Sequence, residues 1–598
     1  MSSSTSSMCS TTFTISTDIL TQLANVLPTG TFLVFQLLVP LATNNGNCHT
    51  TEKVVAYKSV TRLGCTKQMM LVNGQFPGPT IHAKEGDTLV ISVTNLAEHP
   101  LTIHWHGVRQ IRTCWADGVP YITQCPLQKF QSYTHRFRVQ NQTGTLWYHA
   151  HTSWLRASIH GALIVQPREN YPFPQPNTEV PIILGEWWNE DVEEVIARAL
   201  AGGGSYNLPN ALTINGQPGF LYNSSAADAY RLQLQSGHTY LLRLVNACMN
   251  FALFFAVAKH RLTVVKFDSA YVVPFTVNVI LIQPGQTLDA LLTASHQRGR
   301  FYMAASVFSM PNSSMIPFPT IPATALLEYP ASGGSSPIMP RLPSHNDSSY
   351  RDYFEAQQFT LNNSNQLLSV PKTVDRHLFY TVGYGLASNH SCPPLPTCDG
   401  INGNRLRGSV NNITFNLPTT ARKSLLEYGY LSCRGVLVSG ADFNLSFPDQ
   451  PDTPFDYTGP PPPRSAWYPE HGTRLSAIRF NSSVQLILQD TSILEFETHP
   501  FHLHGYSVYI VGKGYGNYDP ATSPASFNLI NPPLRNTYGV PSGGWLALRF
   551  VADNPGVWLL HCHLEIHTSW GMETAFFVRE GNAQDQSLPS PPRDYPRC

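Results

Sequence analysis

Apolar and polar residues alternate along many short stretches of this chain, the pattern of strands that bury one face. In DTLVISVTN, Leu89, Ile91 and Val93 share one face, directly after the turn-rich NGQFPGP. The runs LLRLVNA, LTVVKFD and VNVILIQPGQ are similar strand-like segments bounded by turns. Together with 41 Gly and 48 Pro, they predict an all-β protein built from sandwiches or barrels.

One segment, roughly residues 190–201, has helical periodicity instead. Four apolar residues carry the repeat: Val192, Val195, Ile196 and Ala199. Asn189 is expected to cap this one clear helix, and the glycines 202–204 are expected to end it.

The length of 598 residues suggests three or four domains. A Pro/Ser/Gly-rich stretch at 329–345 has the composition of an interdomain linker. The predicted organisation is a leader-like segment at 1–47, domains at 48–167, 178–330 and 350–580, and a C-terminal tail at 581–598.

The charge content excludes some classes of function. Formal net charge is zero and only 13% of residues are charged, so a basic surface for nucleic acid is not expected. The chain contains no run of 18 uninterrupted apolar residues, which argues against a membrane-spanning helix. A small, weakly charged substrate fits this composition better.

Residues 32–42, FLVFQLLVPLA, form an apolar run of signal-peptide length. They predict secretion, with a mature chain that starts between about residue 43 and residue 53. The segment departs from an ordinary signal because no Lys or Arg precedes Lys53 and because a polar, Ser/Thr-rich stretch stands upstream. An uncleaved N-terminal tail is the alternative.

The segment HCHLEIHTSWGM at 561–572 has several potential metal ligands close together. Cys562 lies between His561 and His563, with His567 and Met572 close behind. Thiolate, imidazole and thioether together form the ligand set of a blue copper site. On a strand, Cys562 would face one way and both flanking histidines the other, so the tripeptide could join two metal centres. A structural zinc site or a buried core cysteine is the alternative.

Three further segments, HWHG, WYHAH and HPFHLHG, place histidines two residues apart. On a strand, each H-x-H pair projects both rings from one face. The four pairs are 104/106, 149/151, 502/504 and 561/563. With 22 His in the chain, chance predicts roughly 0.8 such pairs, so four indicate a metal site.

These four segments, in this order, resemble the copper signatures of the multicopper oxidases, from about residue 54 to the end of the chain. The phrases IHWHGVRQI, WADG, YITQCP, HAHTSWLRA, LGEWWN and ADNPGVW are similar to those of plant laccases. The resemblance implies three cupredoxin-like Greek-key β-sandwich domains.

The resemblance also implies four copper ions and assigns their ligands. The type 1 copper would be held by His499, Cys562 and His567, with Met572 as a weak axial partner. The type 2 copper would take His104 and His502, and the type 3 pair would take His106, His149, His151, His504, His561 and His563.

The implied reaction is the one-electron oxidation of phenols, with electrons passing through Cys562 to His561 and His563, and the reduction of dioxygen to water. Asp117 of WADG would relay protons near the type 2 copper, and Glu565 is a second candidate. Each carboxylate could instead be structural. The expected chain is a monomer outside the cell, in the apoplast, with phenols and dioxygen as its only partners.

Other functions use the same ligands. An ascorbate oxidase or a metal oxidase would oxidise ascorbate or ferrous ion instead, whereas a non-catalytic cell-wall protein of this superfamily would be a binding protein. The complete set of ten histidines and Cys562 argues against the last. The natural phenol stays open between lignin precursors and flavonoids.

Cysteines and glycosylation signals favour an oxidising compartment. Of eleven cysteines, the resemblance pairs Cys125 with Cys598, and Cys392 with Cys398 could close a local loop. Cys48, Cys65, Cys114, Cys248 and Cys433 stay unassigned, and at least one cysteine should be unpaired. Nine N-x-[ST] sequons give mild support for a glycoprotein, at Asn141, Asn223, Asn312, Asn346, Asn362, Asn389, Asn412, Asn444 and Asn481.

Overall fold

The computed structural model describes most of the chain from residue 48 to its last residue. It leaves out 1–47, 223–228, 295–297, 310–316, 331–335, 363–365, 388–391, 393–396, 437–442, 461 and 463. The predicted leader therefore lies outside the described residues. The described part consists of three successive β-sandwich regions, which confirms the all-β prediction.

The first region contains eight strands: β1 (Cys48–Arg62), β2 (Cys65–Val72), β3 (Ile81–Lys84), β4 (Thr88–Asn95), β5 (Ile103–His106), β6 (Ser132–Arg138), β7 (Gly144–Ala150) and β8 (His160–Gln166). They form two sheets of four strands, ordered β2-β1-β4-β6 and β3-β8-β7-β5. Leu89, Ile91 and Val93 of β4 are fully buried between them, as the alternation predicts.

The second region contains eleven strands: β9 (Thr178–Trp187), β10 (Ala211–Ile214), β11 (Arg231–Gln233), β12 (Thr239–Asn246), β13 (Ala252–Val257), β14 (Leu262–Phe267), β15 (Ala270–Val277), β16 (Val279–Ile282), β17 (Thr287–Thr293), β18 (Arg300–Phe308) and β19 (Ala323–Glu328). The sheets are ordered β10-β9-β12-β17-β14-β15 and β11-β19-β18-β13-β16. Their facing side chains form one apolar core.

The third region contains thirteen strands: β20 (Arg376–Leu386), β21 (Leu406–Val410), β22 (Ile413–Phe415), β23 (Phe443–Asn444), β24 (Glu470–Ile478), β25 (Ser483–Asp490), β26 (His499–Leu503), β27 (Val508–Tyr515), β28 (Leu534–Arg535), β29 (Thr537–Val540), β30 (Gly544–Val551), β31 (Gly556–Cys562) and β32 (Glu573–Val578). The order is β28-β27-β30-β25-β20-β21-β22-β24-β32-β31-β26-β29, with β23 beside β24. This order places β26 next to β31.

The described residues form four α-helices: α1 (Val192–Gly202), α2 (Ser348–Ala356), α3 (Leu425–Ser432) and α4 (Glu565–Ser569). The prediction of one clear helix was therefore wrong. The predicted cap of α1 was also wrong, because the Asp191 carboxylate accepts the Glu193 N–H, whereas Asn189 accepts the Trp187 indole N–H. Gly203 ends α1 in the left-handed conformation, as predicted. Short 3-10 helices span Cys114–Ala116, Leu155–Ala157, Ile401–Gly403, Arg464–Trp467, Ser523–Ser526 and Gln584–Gln586.

Disulfide bonds join Cys125 to Cys598 and Cys392 to Cys398, which confirms both predicted pairs. The first ties the chain end to the first sandwich. Cys65, Cys114, Cys248, Cys433 and Cys562 carry free thiols, which confirms the prediction that at least one cysteine is unpaired. Over the part of the chain that the structure describes, no helix has the length and apolar character to cross a membrane.

Candidate metal centres

The histidine pairs lie at the ends of neighbouring strands. In the antiparallel pair β5 and β7, His104 stands opposite His149, and in β26 and β31, His502 stands opposite His561. Trp105, between the first two ligand candidates, points the other way into the apolar core of the first sandwich. The two-residue period of a strand thus places alternate rings on one face.

Cys562 faces away from its two neighbours. Its Sγ lies 3.5 Å from His567 Nδ1 and 3.9 Å from His499 Nδ1, and the two Nδ1 atoms are 3.3 Å apart. All three side chains are buried. We call these three residues the cysteine site.

Met572 supports the cysteine site through its backbone. Its carbonyl accepts the Cys562 N–H at 3.1 Å, and its N–H donates to the His567 carbonyl at 2.9 Å. The side chain is completely buried. The predicted axial ligand is therefore fixed between Cys562 and His567 in the fold.

The other eight predicted ligands form a second group, the histidine cluster: His104, His106, His149, His151, His502, His504, His561 and His563. The ring atoms fall into three sets within 4.8 Å, namely His104/His106/His149, His104/His502/His504 and His151/His504/His561. His106 Nδ1 lies 3.3 Å from His563 Nε2, and His504 Nε2 lies 3.2 Å from His561 Nε2. The cluster thus joins the first and third sandwiches, as the sequence requires.

The cluster fits metal ions better than it fits an ordinary core. The Nε2 atoms of His104, His149, His151 and His502 are buried and have no hydrogen-bond partner, which is costly for polar atoms unless a ligand occupies the space. Burial and neighbouring imidazoles hold the pKa of six rings well below the usual range: His106, His149, His151, His504, His561 and His563. Neutral imidazoles are the form that binds metal.

The thiol of Cys562 also indicates a metal-binding site. Burial raises the pKa of its thiol well above the usual range. A nearby metal cation reverses this preference and stabilises the thiolate. Soft thiolate with two imidazoles suits copper.

Asp117 touches two members of the histidine cluster. Its carboxylate lies 3.0 Å from His504 Nδ1 and 3.3 Å from His104 Nδ1, and its backbone carbonyl accepts His104 Nδ1–H at 2.8 Å. The side chain is completely buried. Burial raises the pKa of this carboxyl, against an opposing effect of His104.

Glu565, the second predicted carboxylate, makes a different contact. Its Oε2 lies 2.8 Å from Arg156 Nη1. Burial raises its pKa, whereas Arg156 lowers it. In the structure, Glu565 therefore forms an ion pair with a buried arginine.

Sequence reasoning missed several residues that surround the two groups. Asp490 Oδ1 lies 3.5 Å from His499 Nε2. Tyr384 O–H and Glu497 Oε2 lie 3.0 Å and 3.3 Å from His567 Nε2. Glu497 stands only two residues before His499, so its position in FETHP was a usable signal. Tyr384 is far away in sequence and gave none.

The middle sandwich takes part in the site, although it contains no H-x-H pair. Asp268 accepts the N–H groups of Asn536 and Thr537 at 2.8 Å and 3.3 Å. The Asn536 carbonyl in turn accepts His502 Nδ1–H at 2.7 Å. A carboxylate of the second sandwich thus fixes the turn that orients a cluster histidine.

A cavity of about 310 Å³ opens beside the cysteine site. Its lining includes His567, Tyr384 and Glu497, with apolar residues such as Leu564 and Trp570. Cavities of this size, mostly apolar with a few polar groups, hold small aromatic molecules. One edge of the buried His567 ring therefore lines a ligand-sized space.

Family models described as multicopper oxidase match residues 54–170, 178–332 and 446–582. A further model, described as a protein of unknown function (DUF679), matches residues 18–72, which include the apolar run predicted as a leader.

Curated relatives match over almost the whole chain. Laccase-4 of Oryza sativa subsp. japonica is 46% identical over 588 residues, covering 96% of this chain and 99% of its own. Laccase-3 of Arabidopsis thaliana is 46% identical over 560 residues, covering 92% and 95%.

Solved structures share the fold. The laccase from Botrytis aclada has 25% identity and a TM-score of 0.70, covering 92% of this chain and 90% of that chain. Fet3p, a multicopper oxidase that functions in iron import, has 22% identity and a TM-score of 0.67, covering 91% and 94%. These similarities confirm three cupredoxin-like domains, while the predicted domain boundaries stay predictions.

Proposed function

The chain belongs to the plant laccases of the multicopper oxidase family, and on this basis we propose which residues take part in each step of the reaction. The cysteine site, with Met572, holds a type 1 copper, and the histidine cluster holds one type 2 and two type 3 coppers. The substrates are phenols and dioxygen. Four phenols give up four electrons and four protons, and one dioxygen takes them up to form two waters.

The distances support an assignment of the type 3 ligands. His106 and His563 approach each other, with His149 beside His106, whereas His151, His504 and His561 form the other set. His104 and His502 complete the cluster at the type 2 position. When bound, copper would supply one-electron redox chemistry on the phenol side and four-electron reduction of dioxygen at the cluster.

The position of His567 is the basis for the proposed phenol-binding site. Its Nδ1 points to Cys562, while its Nε2 points toward Tyr384 and Glu497, which line the cavity. One ring therefore links the cysteine site to the space where an aromatic substrate fits. Glu497 accepts the hydrogen bond of the phenol hydroxyl and turns the oxygen toward His567. The apolar lining excludes water around the ring.

Cys562 connects the two metal groups. Its flanking residues, His561 and His563, both belong to the histidine cluster, so the strand backbone covalently joins the cysteine site to the type 3 ligands. With copper bound, this link would carry single electrons from the phenol side to the histidine cluster. Asp117 holds and passes protons beside His104 and His504.

Oxygen consumption with matched substrates tests the function. A laccase should consume one dioxygen for every four phenol molecules oxidised, and should prefer phenols to ascorbate and ferrous ion. Faster oxidation of ascorbate or ferrous ion would assign the chain to another activity of the family. Purified protein without copper or a blue band would indicate a binding protein.

Replacing Glu497 with Gln should lower kcat/KM for phenols about tenfold, the effect expected for one hydrogen bond to a charged group. The blue band should persist, because His567 keeps its Nδ1 contact. Steady-state kinetics on simple phenols measure this effect. Glu495→Gln is the matched control, since Glu495 lines the same cavity. Equal losses in both variants would show that only the charge of the cavity matters.

Met572→Leu should raise the potential of the type 1 site and speed the oxidation of electron-poor phenols several-fold. A thioether donates weakly to copper and favours its oxidised state. Leu has a similar volume, so the substitution should cost less than about 1.5 kcal/mol of stability. A redox titration of both proteins checks this effect, and an unchanged potential would mean that the sulfur is not a ligand.

We also propose that the protein is secreted to the apoplast and glycosylated. The disulfide bonds Cys125–Cys598 and Cys392–Cys398 support an oxidising compartment. N-terminal sequencing of the mature protein tests this, with a start between about residue 43 and residue 53 expected. Recovery of Ser2 or Ser3 at the N-terminus would contradict cleavage.

A further inference from the structure

Arg156 lies where the three sandwiches meet. It follows His151 by five residues in HAHTSWLRA and occupies the short 3-10 helix Leu155–Ala157. Its side chain is only 1% exposed. A buried guanidinium is costly unless it is fully paired, so its contacts indicate what it does.

The Arg156 guanidinium connects the first family-matched region of the chain to the second and the third. Within the first, Arg156 itself belongs to residues 54–170. In the second, Nη2 donates to the carbonyls of Met249 at 3.0 Å and Cys248 at 3.3 Å. In the third, Nη1 contacts His563 Nδ1 at 3.0 Å and Glu565 at 2.8 Å, and Nη2 donates to the His563 carbonyl at 3.1 Å.

The Nδ1 atom of His563 has a different kind of contact from the Nδ1 atoms of several other histidines in the cluster. His104, His149, His502 and His561 each place Nδ1 within 2.9 Å of a backbone carbonyl: Asp117, Ala150, Asn536 and Cys562. Metal-binding histidines usually donate to such an oxygen, which fixes the ring. Arginine has no acceptor, so the contact between Arg156 Nη1 and His563 Nδ1 cannot be a donation from the ring of the kind that those four histidines make.

Backbone of the second sandwich packs closely against the His563 ring. A Cβ built on Gly285 would lie 2.7 Å from His563 Cδ2, so only glycine allows this approach. The Gly285 carbonyl accepts the Trp147 indole N–H at 3.2 Å. The ring therefore contacts both this backbone and the Arg156 guanidinium.

We infer that Arg156 is a positioning residue for electron transfer from the cysteine site to the histidine cluster. It fixes both the ring and the carbonyl of His563, the residue that directly follows Cys562. This inference rests on the proposed ligand role of His563. The residue acts through His563 and touches neither phenol nor dioxygen.

The choice of arginine supports this role. Its planar fork presents donors on both Nη1 and Nη2, which together serve His563, Glu565 and two carbonyls of the second sandwich, while Nε has no hydrogen-bond partner. Lysine keeps the charge but offers one nitrogen. Arg156→Lys therefore keeps a buried cation while losing part of the bridge between His563 and the Met249 carbonyl.

Arg243 offers a matched control. It is equally buried and pairs with Asp289 at 2.9 Å and Glu179 at 2.8 Å, and its Nη1 lies 3.3 Å from Thr145 of the first sandwich. It is a second arginine between the first two sandwiches, with partners outside the cysteine site and the histidine cluster. Arg243→Lys should therefore lower stability without slowing electron transfer.

The experiment reduces the copper-loaded protein without dioxygen and follows the cysteine site and the type 3 pair separately by rapid mixing. Arg156→Lys should keep its copper content, blue band, type 1 potential and KM. Its cluster should be reduced roughly 10- to 100-fold more slowly, the usual effect of removing a partner of a metal-binding histidine. Arg243→Lys should keep the wild-type rate.

Thermal unfolding of the copper-free proteins gives a second measurement. Both Lys variants should unfold at lower temperature than the wild type, so slower transfer in Arg156→Lys alone cannot come from stability. If Arg156→Lys does not fold, Glu565→Gln keeps the guanidinium and changes only its anchor. That variant should slow the same dioxygen-free step by a smaller factor.

Three results would overturn the inference: a wild-type transfer rate in Arg156→Lys, equal slowing in Arg243→Lys, or loss of copper from the cluster. The last would make Arg156 a residue for metal binding. A wild-type protein without a blue band would instead refute the proposed function, and the inference would fail with it.

Discussion

Replacing Cys562 with Ser should abolish both the blue absorption band and phenol oxidation while copper stays at the histidine cluster. The blue band belongs to thiolate ligation of copper, which a hydroxyl does not reproduce. The two groups use opposite faces of β31, so removing the sulfur leaves His561 and His563 in place. Activity should fall to the background of the assay.

Copper content, electron paramagnetic resonance and oxygen consumption measure this outcome together. Three of the four coppers should remain. Cys114→Ser is the matched control, because Cys114 is also a fully buried free thiol but lies outside the cysteine site. Loss of the cluster copper in Cys562→Ser, with retention in Cys114→Ser, would show that the two centres are not independent.

The ligand candidates could be found from sequence because, on a strand, the number of residues between two side chains determines whether they point to the same face. Four H-x-H pairs, of which HCH is one, show which side chains share a face before any sheet is known. The structure places His104 opposite His149 and His502 opposite His561, a register that spacing alone does not give. The two faces of HCH are the part of the site that sequence alone predicts best.

Residues that depend on tertiary approach could not be predicted. Tyr384 reaches His567 from 183 positions away, and Asp268 supports the turn at Asn536 from 268 positions away. Arg156 lies within the phrase HAHTSWLRA, yet nothing in that phrase indicates a contact with His563, 407 positions later. Such contacts are set by how the sandwiches pack together.

Two errors in the helices have local causes. The N-cap of α1 was misplaced by two residues because Asn189 and Asp191 are both good caps, and the choice depends on which side chain the Trp187 indole N–H occupies. Helix α3 could have been recognised, since Ser424 and Glu427 form a capping box at its start. This helix has only eight residues, too few for an apolar repeat to be recognised.

Replacing Asp117 with Asn should slow the reaction of the reduced enzyme with dioxygen roughly 10- to 100-fold. Reduction by phenol should change little, since Asp117 is remote from the cavity beside His567. Asn has nearly the same shape and can still accept the His504 contact, but it cannot carry a proton between His104 and His504. Rapid mixing of each half-reaction separates the two effects.

Asp490 provides the reciprocal variant. It is as buried as Asp117 but lies beside His499 of the cysteine site, with its other oxygen accepting the Gly543 N–H at 2.6 Å. Asp490→Asn should therefore alter reduction by phenol and leave reoxidation unchanged, the opposite of Asp117→Asn. If Asp117→Asn slows both half-reactions equally, Asp117 only maintains the structure of the cluster. If it slows reoxidation alone, the carboxylate supplies protons where dioxygen is reduced.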